Sequence, residues 1–169
     1  MAVATPIYSA NTPITLDLSS LPASAAFTTG RESTEIDNTV TRYMDANVHA
    51  LGITGSASVP TANQMIAVYL WGSDTSLTVR PIDTLDGLDS AETISLPLLQ
   101  ALRGPVIAYT AAAIASQIYF LQPFSVARVL GLPALPKFWG LYAATNLTGG
   151  LAAAMADKFS FVGLKYDVT

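Results

Sequence analysis

The chain has one histidine, His49, and its neighbours decide what chemistry it could do. Asp45 and Asn47 precede it at two-residue steps, so in a strand all three side chains share one face. Either neighbour could then orient the imidazole as the general base of a hydrolase. The chain has no Gly-x-Ser-x-Gly nucleophile motif. The pattern therefore favours a polar surface or interface histidine, with a hydrolase on a β scaffold as an alternative.

Carboxylates are concentrated in one short segment that could offer oxygen ligands to a metal ion. The stretch DTLDGLDSAE carries Asp83, Asp86, Asp89 and Glu92. Their spacing differs from that of an EF-hand, in which acids at alternate positions precede a bidentate Glu at the end of the loop. We expect a solvated acidic loop, with calcium as an alternative. Because the chain has no cysteine, thiolate zinc sites and disulfides are excluded, and we expect no metal and no cofactor.

Paired carboxylates of the kind that glycosidases use could come from Asp37 with Asp45 or from Glu32 with Glu35. The sequence does not place either pair across a cleft. It also contains no glycine-rich loop in a context that would bind phosphate. We therefore expect that the protein is not an enzyme.

Composition points to a protein that buries much of its surface against partners. Of its 169 residues, 51% are hydrophobic and only 12% are charged, whereas charged residues make up about 25% of an average domain. The net charge is −4 and no cluster of Lys or Arg is present, so we expect no nucleic-acid and no membrane-surface partner. The N-terminal residues do not resemble a secretory signal, and we expect the protein to be made in a cytosol.

The uncharged run from Gly104 to Ala127 has about the length of a membrane-spanning helix. Gln117 and Gln122 interrupt it, Pro105 and Pro123 lie near its ends, and its middle is rich in alanine. Its aromatic and β-branched residues instead favour two buried strands, or a strand with a short helix. Pro123 would then lie at a strand end, a bulge or an edge, where its missing N–H costs least.

Alternation of apolar side chains predicts most of the remaining strands. Strands are expected at 13–21, 42–52, 63–74, 76–82, 139–144 and 158–168, a polar loop at 27–42, a strand or short helix at 151–158, and a short helix at 96–102 opened by Pro97. We expect Trp139 and Phe138 to be ordinary core residues. This tally predicts an all-β fold: an antiparallel, jelly-roll-like β-sandwich at 13–169 with one or two short helices, preceded by an extended N-terminal arm at 1–12.

The order of four segments resembles small all-β virion proteins of tailed bacteriophages. The resemblance covers roughly residues 27 to 166 and lies in a Gly-Arg polar loop, an Asn-rich turn, a strand ending in Gly-Ser, and a late Leu-Pro…Trp…Asn-x-Thr-Gly segment. The segments are TGRESTEIDNT, YMDANVHALGI, IAVYLWGSD and FSVARVLGLPALPKFWGLYAATNLTGG. The alanine-rich stretch TAAAIAS departs from the pattern and leaves the position in the particle open.

This resemblance implies a structural virion protein, first of all a capsid decoration or cement protein that binds between major capsid subunits. It also implies a homo-oligomer at the capsid surface, assembled in the host cytoplasm. A tail or head–tail component is the nearest alternative. A carbohydrate-binding adhesion module is another, in which exposed Tyr43, Trp71 or Tyr142 would stack on sugars. The contact residues we expect are Ile7 and Tyr8 in the arm, Arg31 and Glu32 in the polar loop, and Trp71 at a strand end.

Overall fold

A computed structural model of the chain describes residues 4–19, 21–54, 59–61, 64–110, 114–147, 151 and 158–168; the side chains at 51–54, 107–110, 121 and 168 are outside the description. These residues form eleven strands and two short helices. In chain order they are β1 (Ala4–Tyr8), β2 (Thr12–Ile14), β3 (Thr29–Glu32), β4 (Ile36–Asp37), β5 (Asp45–Thr54), β6 (Met65–Ser73), β7 (Ser90–Thr93), α1 (Leu96–Ala101), β8 (Arg103–Thr110), β9 (Ile118–Ser125), α2 (Val126–Leu130), β10 (Phe138–Thr145) and β11 (Phe159–Val168).

Two antiparallel sheets form a β-sandwich, which confirms the predicted all-β fold class. Sheet A has the order β1-β11-β5-β9, and β2 also pairs with β11. Sheet B has the order β7-β3-β10-β6-β8, and β4 also pairs with β10. The chain changes sheet between successive elements in its last third, so strands that lie far apart in sequence become neighbours.

The main core lies between the two sheets. Its members come from the alternating positions that the sequence indicates, such as Ala46 and Val48 on β5 and Phe159 and Phe161 on β11. The ring of Trp139 meets Phe161 edge-to-face, with 5.3 Å between centroids, and is almost completely buried. The prediction that Trp139 is an ordinary core residue is therefore confirmed.

A second core covers the outer face of sheet B. Residues 74–102, which we call the cover segment, fold across that face and supply Leu77, Leu85, Ile94 and Leu102. Beneath them lie aromatic and small side chains of β6 and β10: Ala67, Tyr69, Trp71, Tyr142 and Ala144. Both faces of β6 and β10 are consequently buried, which explains why these two strands are apolar at successive positions.

Two local predictions are wrong. The polar loop predicted at 27–42 contains β3 and β4, because Arg31 of β3 pairs with Asp89 and Glu32 accepts from the Asp86 N–H of the cover segment. The strand predicted at 76–82 is a turn in which the carbonyl of Ser76 accepts from the N–H groups of Val79 and Arg80. Only Leu77 of this stretch is buried in the core.

The uncharged run at 104–127 forms β8, β9 and the start of α2, so the prediction of two strands is confirmed. The prediction that both are buried is wrong for β9, because Ile118 is 48% exposed and Phe120 is 68% exposed on this edge strand. Pro123 lies on β9, an edge strand, between Leu121 and Phe124, where the register against β5 shifts. The short helix predicted at Pro97 is α1, with Ser95 as its N-cap. The alternation at Ile14, Leu16 and Leu18 places all three in the core, although only the first lies in a strand.

The predicted N-terminal arm is extended, and its β1 pairs with β11 of the same chain. Its ordering across a neighbouring subunit, and a domain boundary at residue 12, stay predictions. The strand or helix predicted at 151–158 lies mostly outside the described residues.

Candidate interaction surface

The outer face of sheet A has no cover segment over it among the described residues. On β11, Phe159 and Phe161 point into the core, so Val162, Leu164 and Tyr166 point outward. Cross-strand pairing places Tyr8 beside Leu164 and Pro6 beside Tyr166 on the same face. Tyr8 is 62% exposed and Tyr166 is 54% exposed. We call these five residues, Pro6, Tyr8, Val162, Leu164 and Tyr166, the sheet A patch.

Next to the patch, the same face of β5 is polar with little charge. Asn47 and His49 pair with Val162 and Ser160 of β11. Asp45 pairs with Leu164, and its carboxylate accepts hydrogen bonds from the Ser125 hydroxyl at 2.6 Å and the Ala127 N–H at 3.0 Å. A partner that covers this face would therefore desolvate aromatic rings, amides and hydroxyls together with one hydrogen-bonded carboxylate, which costs far less than burying free charges.

Strand β1 forms one edge of sheet A and β9 the other, and the hydrogen-bond directions of β1 restrict what can pair with it. The N–H of Ser9 donates to the Gly163 carbonyl of β11. Because N–H directions alternate along a strand, Thr5 and Ile7 also face β11, and Pro6 and Tyr8 face the free edge. Pro6 has no N–H to offer there. The β1 edge therefore disfavours the addition of another strand, and a partner on this side of the sheet is better placed to bind its outer face.

The two arm residues expected to contact a partner have different positions. Tyr8 lies in the sheet A patch. Ile7 pairs with Lys165 on the opposite face of the sheet and is 37% exposed. The structure therefore brings Tyr8 together with Tyr166, a residue that the sequence reasoning missed.

The two expected contact residues of the polar loop lie on β3 and hold the cover segment in place. Arg31 forms an ion pair with Asp89, with 2.6 Å from Nε to Oδ1. Glu32 is completely buried, and its Oε2 accepts from the Asp86 N–H at 2.9 Å. The expectation that Glu32 lies in an exposed loop is wrong, because the cover segment closes over it.

Glu32 is also the most perturbed acid of the described residues. Burial raises its pKa to about 8, and the nearby Asp86 and Glu92 carboxylates act in the same direction. The N–H groups of Asp86 and Gly87 act in the opposite direction. The second oxygen, Oε1, is buried without a hydrogen-bond partner. A protonated carboxyl fits this environment better than a carboxylate does.

The aromatic residues suggested for sugar stacking are not exposed as a platform. Trp71 is 5% exposed and Tyr142 is fully buried, with its hydroxyl donating to the Thr28 carbonyl at 2.8 Å. Tyr43 is half-buried, and its ring packs directly on Gly163, where a Cβ atom would approach the ring to 2.6 Å. The prediction that these three rings form a stacking platform is wrong, because the cover segment and β11 pack against the ring faces.

The His49 ring contacts Asn11, with 2.9 Å from Nε2 to Oδ1. The carboxylate of Asp45 is directed to Ser125 and Ala127 instead of to the imidazole. This arrangement offers His49 as a hydrogen-bonding group on the outer face of sheet A. It gives no support to the hydrolase alternative.

The acidic segment uses its carboxylates to organise its own backbone. Asp83 accepts from the Ser95 N–H and Asp86 from the Leu88 N–H, and Asp89 is paired with Arg31. Within the described ranges, no three side chains of the types His, Cys, Asp and Glu are grouped to hold a metal ion. The carboxylates considered for a glycosidase also bind local groups. Glu35 accepts hydrogen bonds from the Ser76 hydroxyl and the Leu77 N–H, and Asp37 accepts one from the Thr39 N–H.

Neither described helix is both long and apolar enough to cross a membrane. No family model, no curated protein and no solved structure matches the chain.

Proposed function

We propose that this protein is a structural component of a tailed-bacteriophage particle, a decoration or cement protein that binds major capsid subunits through the sheet A patch. The observation that carries the proposal is the contrast between the two sheets. The central strands of sheet B, β6 and β10, are buried on both faces by the main core and the cover segment, whereas the outer face of sheet A presents Tyr8 and Tyr166 to solvent. Apolar patches of this kind favour a macromolecular partner.

Low charge supports the same function. A decoration protein adds buried area at many symmetry-related contacts, so each contact can be modest while the total is large. Aromatic rings and uncharged polar groups supply such contacts with a small desolvation cost. The proposal includes binding of this chain to further copies of itself at the capsid surface. A tail or head–tail position would use the same patch.

A carbohydrate-binding adhesion module is the second candidate, because Tyr8 and Tyr166 are exposed on neighbouring strands of one face. Two tyrosines in this relation could stack on a sugar ring. This candidate differs in the ligand and not in the surface. A glycan array separates the two candidates, because only the adhesion module retains bound sugar.

The double variant Tyr8→Thr/Tyr166→Thr tests the proposal. Thr keeps the preference for β structure and removes the aromatic area, so the fold should persist and the affinity for particles should fall at least about tenfold. The measurement is co-sedimentation of the purified protein with particles that lack it. Val40→Thr/Val59→Thr is the matched control, because both valines are more than half exposed and lie outside the patch. Equal occupancy of the patch variant and the control would refute the assignment of the patch.

A further inference from the structure

A pocket of about 340 Å³ opens where the loop between β4 and β5 meets the loop between α2 and β10. Two backbone hydrogen bonds join the loops. The Leu135 N–H donates to the Met44 carbonyl at 2.9 Å, and the Asn38 N–H donates to the Lys137 carbonyl at 2.8 Å. Because β5 belongs to sheet A and β10 to sheet B, both sheets hold the loops of the pocket in place.

Asn38 fixes the shape of this pocket. Its side chain is buried; Oδ1 accepts from the Tyr43 N–H at 2.7 Å, and Nδ2 donates to the Tyr43 carbonyl at 3.0 Å. Nδ2 also donates to the Pro136 carbonyl at 3.4 Å. These polar groups are thus paired within the protein, and the lining is mostly apolar, with Tyr43, Met44 and Leu135 among its members. A site that is formed in advance in this way loses little conformational entropy when a ligand binds.

Two exposed cations, Arg42 and Lys137, line the same pocket. The Nε–H of Arg42 donates to the carbonyl of Thr39, another lining residue, at 3.2 Å, and this bond holds the guanidinium at the rim. Within the described part of the chain, the two Nη groups of Arg42 have no hydrogen-bond partner. Parallel N–H groups of a guanidinium match the two oxygens of a carboxylate.

The carboxylates nearest in the sequence do not neutralise these cations. Asp37 accepts from the Thr39 N–H at 2.7 Å, and Asp45 accepts from the first turn of α2. Neither cation of the pocket forms an ion pair with a described acid. The pocket therefore presents two positive charges beside an apolar lining, and charge complementarity selects an anionic ligand.

The backbone of Arg42 indicates that the loop does not need an arginine for its own structure. Its φ is 55°, in the left-handed region that favours glycine over a residue with a long side chain. Its N–H donates to the Asn38 carbonyl, a bond that every residue type except proline can make. Strained residues of this kind are concentrated at functional sites. The strain is thus an observation independent of charge that points to the same pocket.

We propose that this pocket binds an acidic segment of a partner protein. A carboxylate of that segment binds Arg42 and Lys137, and an apolar side chain next to it packs on Met44 and Leu135. The inference goes beyond the proposed function and does not depend on it, because the pocket and the sheet A patch share no residue.

The properties of the pocket favour a polypeptide segment over other anions. The apolar lining disfavours a strongly hydrated ion such as inorganic phosphate. The volume is near the lower limit for pockets that enclose small molecules, and the pocket is open to solvent, so a free organic acid would stay largely exposed. A polypeptide segment gains further contacts outside the pocket, where Met44 is 43% exposed.

The test is an NMR titration of the isotope-labelled full chain with the peptide acetyl-Gly-Glu-Phe-Gly-amide. We expect saturable shifts of the amide signals of Arg42, Met44 and Lys137, with a dissociation constant of about 1 mM or below that rises with salt. The same peptide with Gln in place of Glu should bind at least about tenfold more weakly, because it lacks the carboxylate.

The double variant Arg42→Gln/Lys137→Gln should raise the dissociation constant of the Glu peptide at least about tenfold. Arg80→Gln/Arg103→Gln is the matched control, because it removes the same charge from two exposed positions that do not line this pocket. The control should bind the peptide like the unaltered protein. Equal weakening by the two double variants would overturn the inference, since the net charge alone would then explain the effect.

Arg42→Gly separates binding from stability. Glycine relieves the strained φ, so the urea midpoint should not fall although the peptide binds more weakly. A parallel loss of stability and binding would overturn the assignment of Arg42 as a ligand-binding residue. The absence of saturable shifts at about 10 mM peptide, or equal affinity for free phenylpropionate, would overturn the inference. Shifts that follow the concentration of the protein alone would assign the pocket to a second copy and overturn it as well.

Discussion

Replacing Glu32 by Gln is expected to abolish a loss of stability that the unaltered protein undergoes as the pH rises from about 4.5 to about 8. In the unfolded chain the carboxyl has its ordinary pKa of 4.5, and in the folded chain burial raises the pKa to about 8. The folded state therefore holds a proton that the unfolded state releases between these values. The stabilising contribution of the protonated group is complete below the lower value and is lost as the pH passes the upper one.

The size of the effect follows from the difference between the two pKa values. Each unit corresponds to about 1.4 kcal/mol, so the free energy of unfolding should fall by about 3–5 kcal/mol across the window. This is a large part of the stability of a domain of this size. The carboxylate that forms at high pH would be buried with Oε1 unsatisfied, and it would oppose the closure of the cover segment over β3.

Urea denaturation at several pH values between about 5 and 9 measures this directly. Glu32→Gln keeps an oxygen for the Asp86 N–H and cannot ionise, so its profile should lack the decline attributed to Glu32. Asp74→Asn removes an exposed acid and should keep the decline of the unaltered protein. If the Gln variant declines as steeply as the Asn control, Glu32 does not carry the pH dependence.

The second large effect is expected for Gly140→Ala, on β10. A Cβ atom there would lie 2.6–2.9 Å from three ring atoms of Trp71, and that indole is enclosed by the cover segment. Because the ring cannot move without disturbing the second core, the substitution should cost about 2–3 kcal/mol of unfolding free energy. Equilibrium denaturation in urea gives this value.

Gly131→Ala is the matched comparison, because that glycine is required for a different reason. It caps α2 with φ of 71°, and no atom lies within 4 Å of the position that an alanine methyl group would take. Its substitution should cost only about 1 kcal/mol, from backbone strain. In a Trp71→Phe background, Gly140→Ala should cost less unfolding free energy, because a phenyl ring lacks the crowded indole atoms. The cost of Gly131→Ala should be the same in both backgrounds. Equal costs at the two glycines, or additivity of Gly140→Ala with Trp71→Phe, would show that the contact is not the cause.

Local alternation was enough to predict the strands that have one apolar face. The pattern at 46–50 and at 159–163 places the side chains of the main core correctly, because a period of two is a local property of the chain, whereas Met44, at the start of the same alternation, is 43% exposed. Apolar residues on both faces of β6 also indicated that it is a central strand. The burial of these residues follows from composition and spacing alone.

The sequence could not reveal β3, because its neighbours come from distant parts of the chain. Arg31 and Glu32 look like loop residues until Asp89 and the N–H of Asp86 are brought to them. The same cover segment hides Trp71, which the sequence indicated as exposed. These errors share one cause: the closure of a segment over sheet B is a long-range event with no local periodicity.

The sheet A patch was predicted only at Tyr8. Tyr166 carried a usable signal, because on β11 it lies two residues from Leu164 and four from Val162, opposite in parity to Phe159 and Phe161. A terminal strand that is apolar on both faces indicates a second buried face or a binding surface. The pairing of β1 with β11, which joins Tyr8 to that surface, became visible only in the fold.

An electron cryo-microscopy reconstruction of the intact particle tests the central claim most directly. The proposal predicts density for this chain at repeated positions on the shell, with Tyr8 and Tyr166 at the contact with major capsid subunits. A shell without this chain would contradict the proposed function. A bound chain whose sheet A patch faces solvent would contradict the assignment of the binding surface.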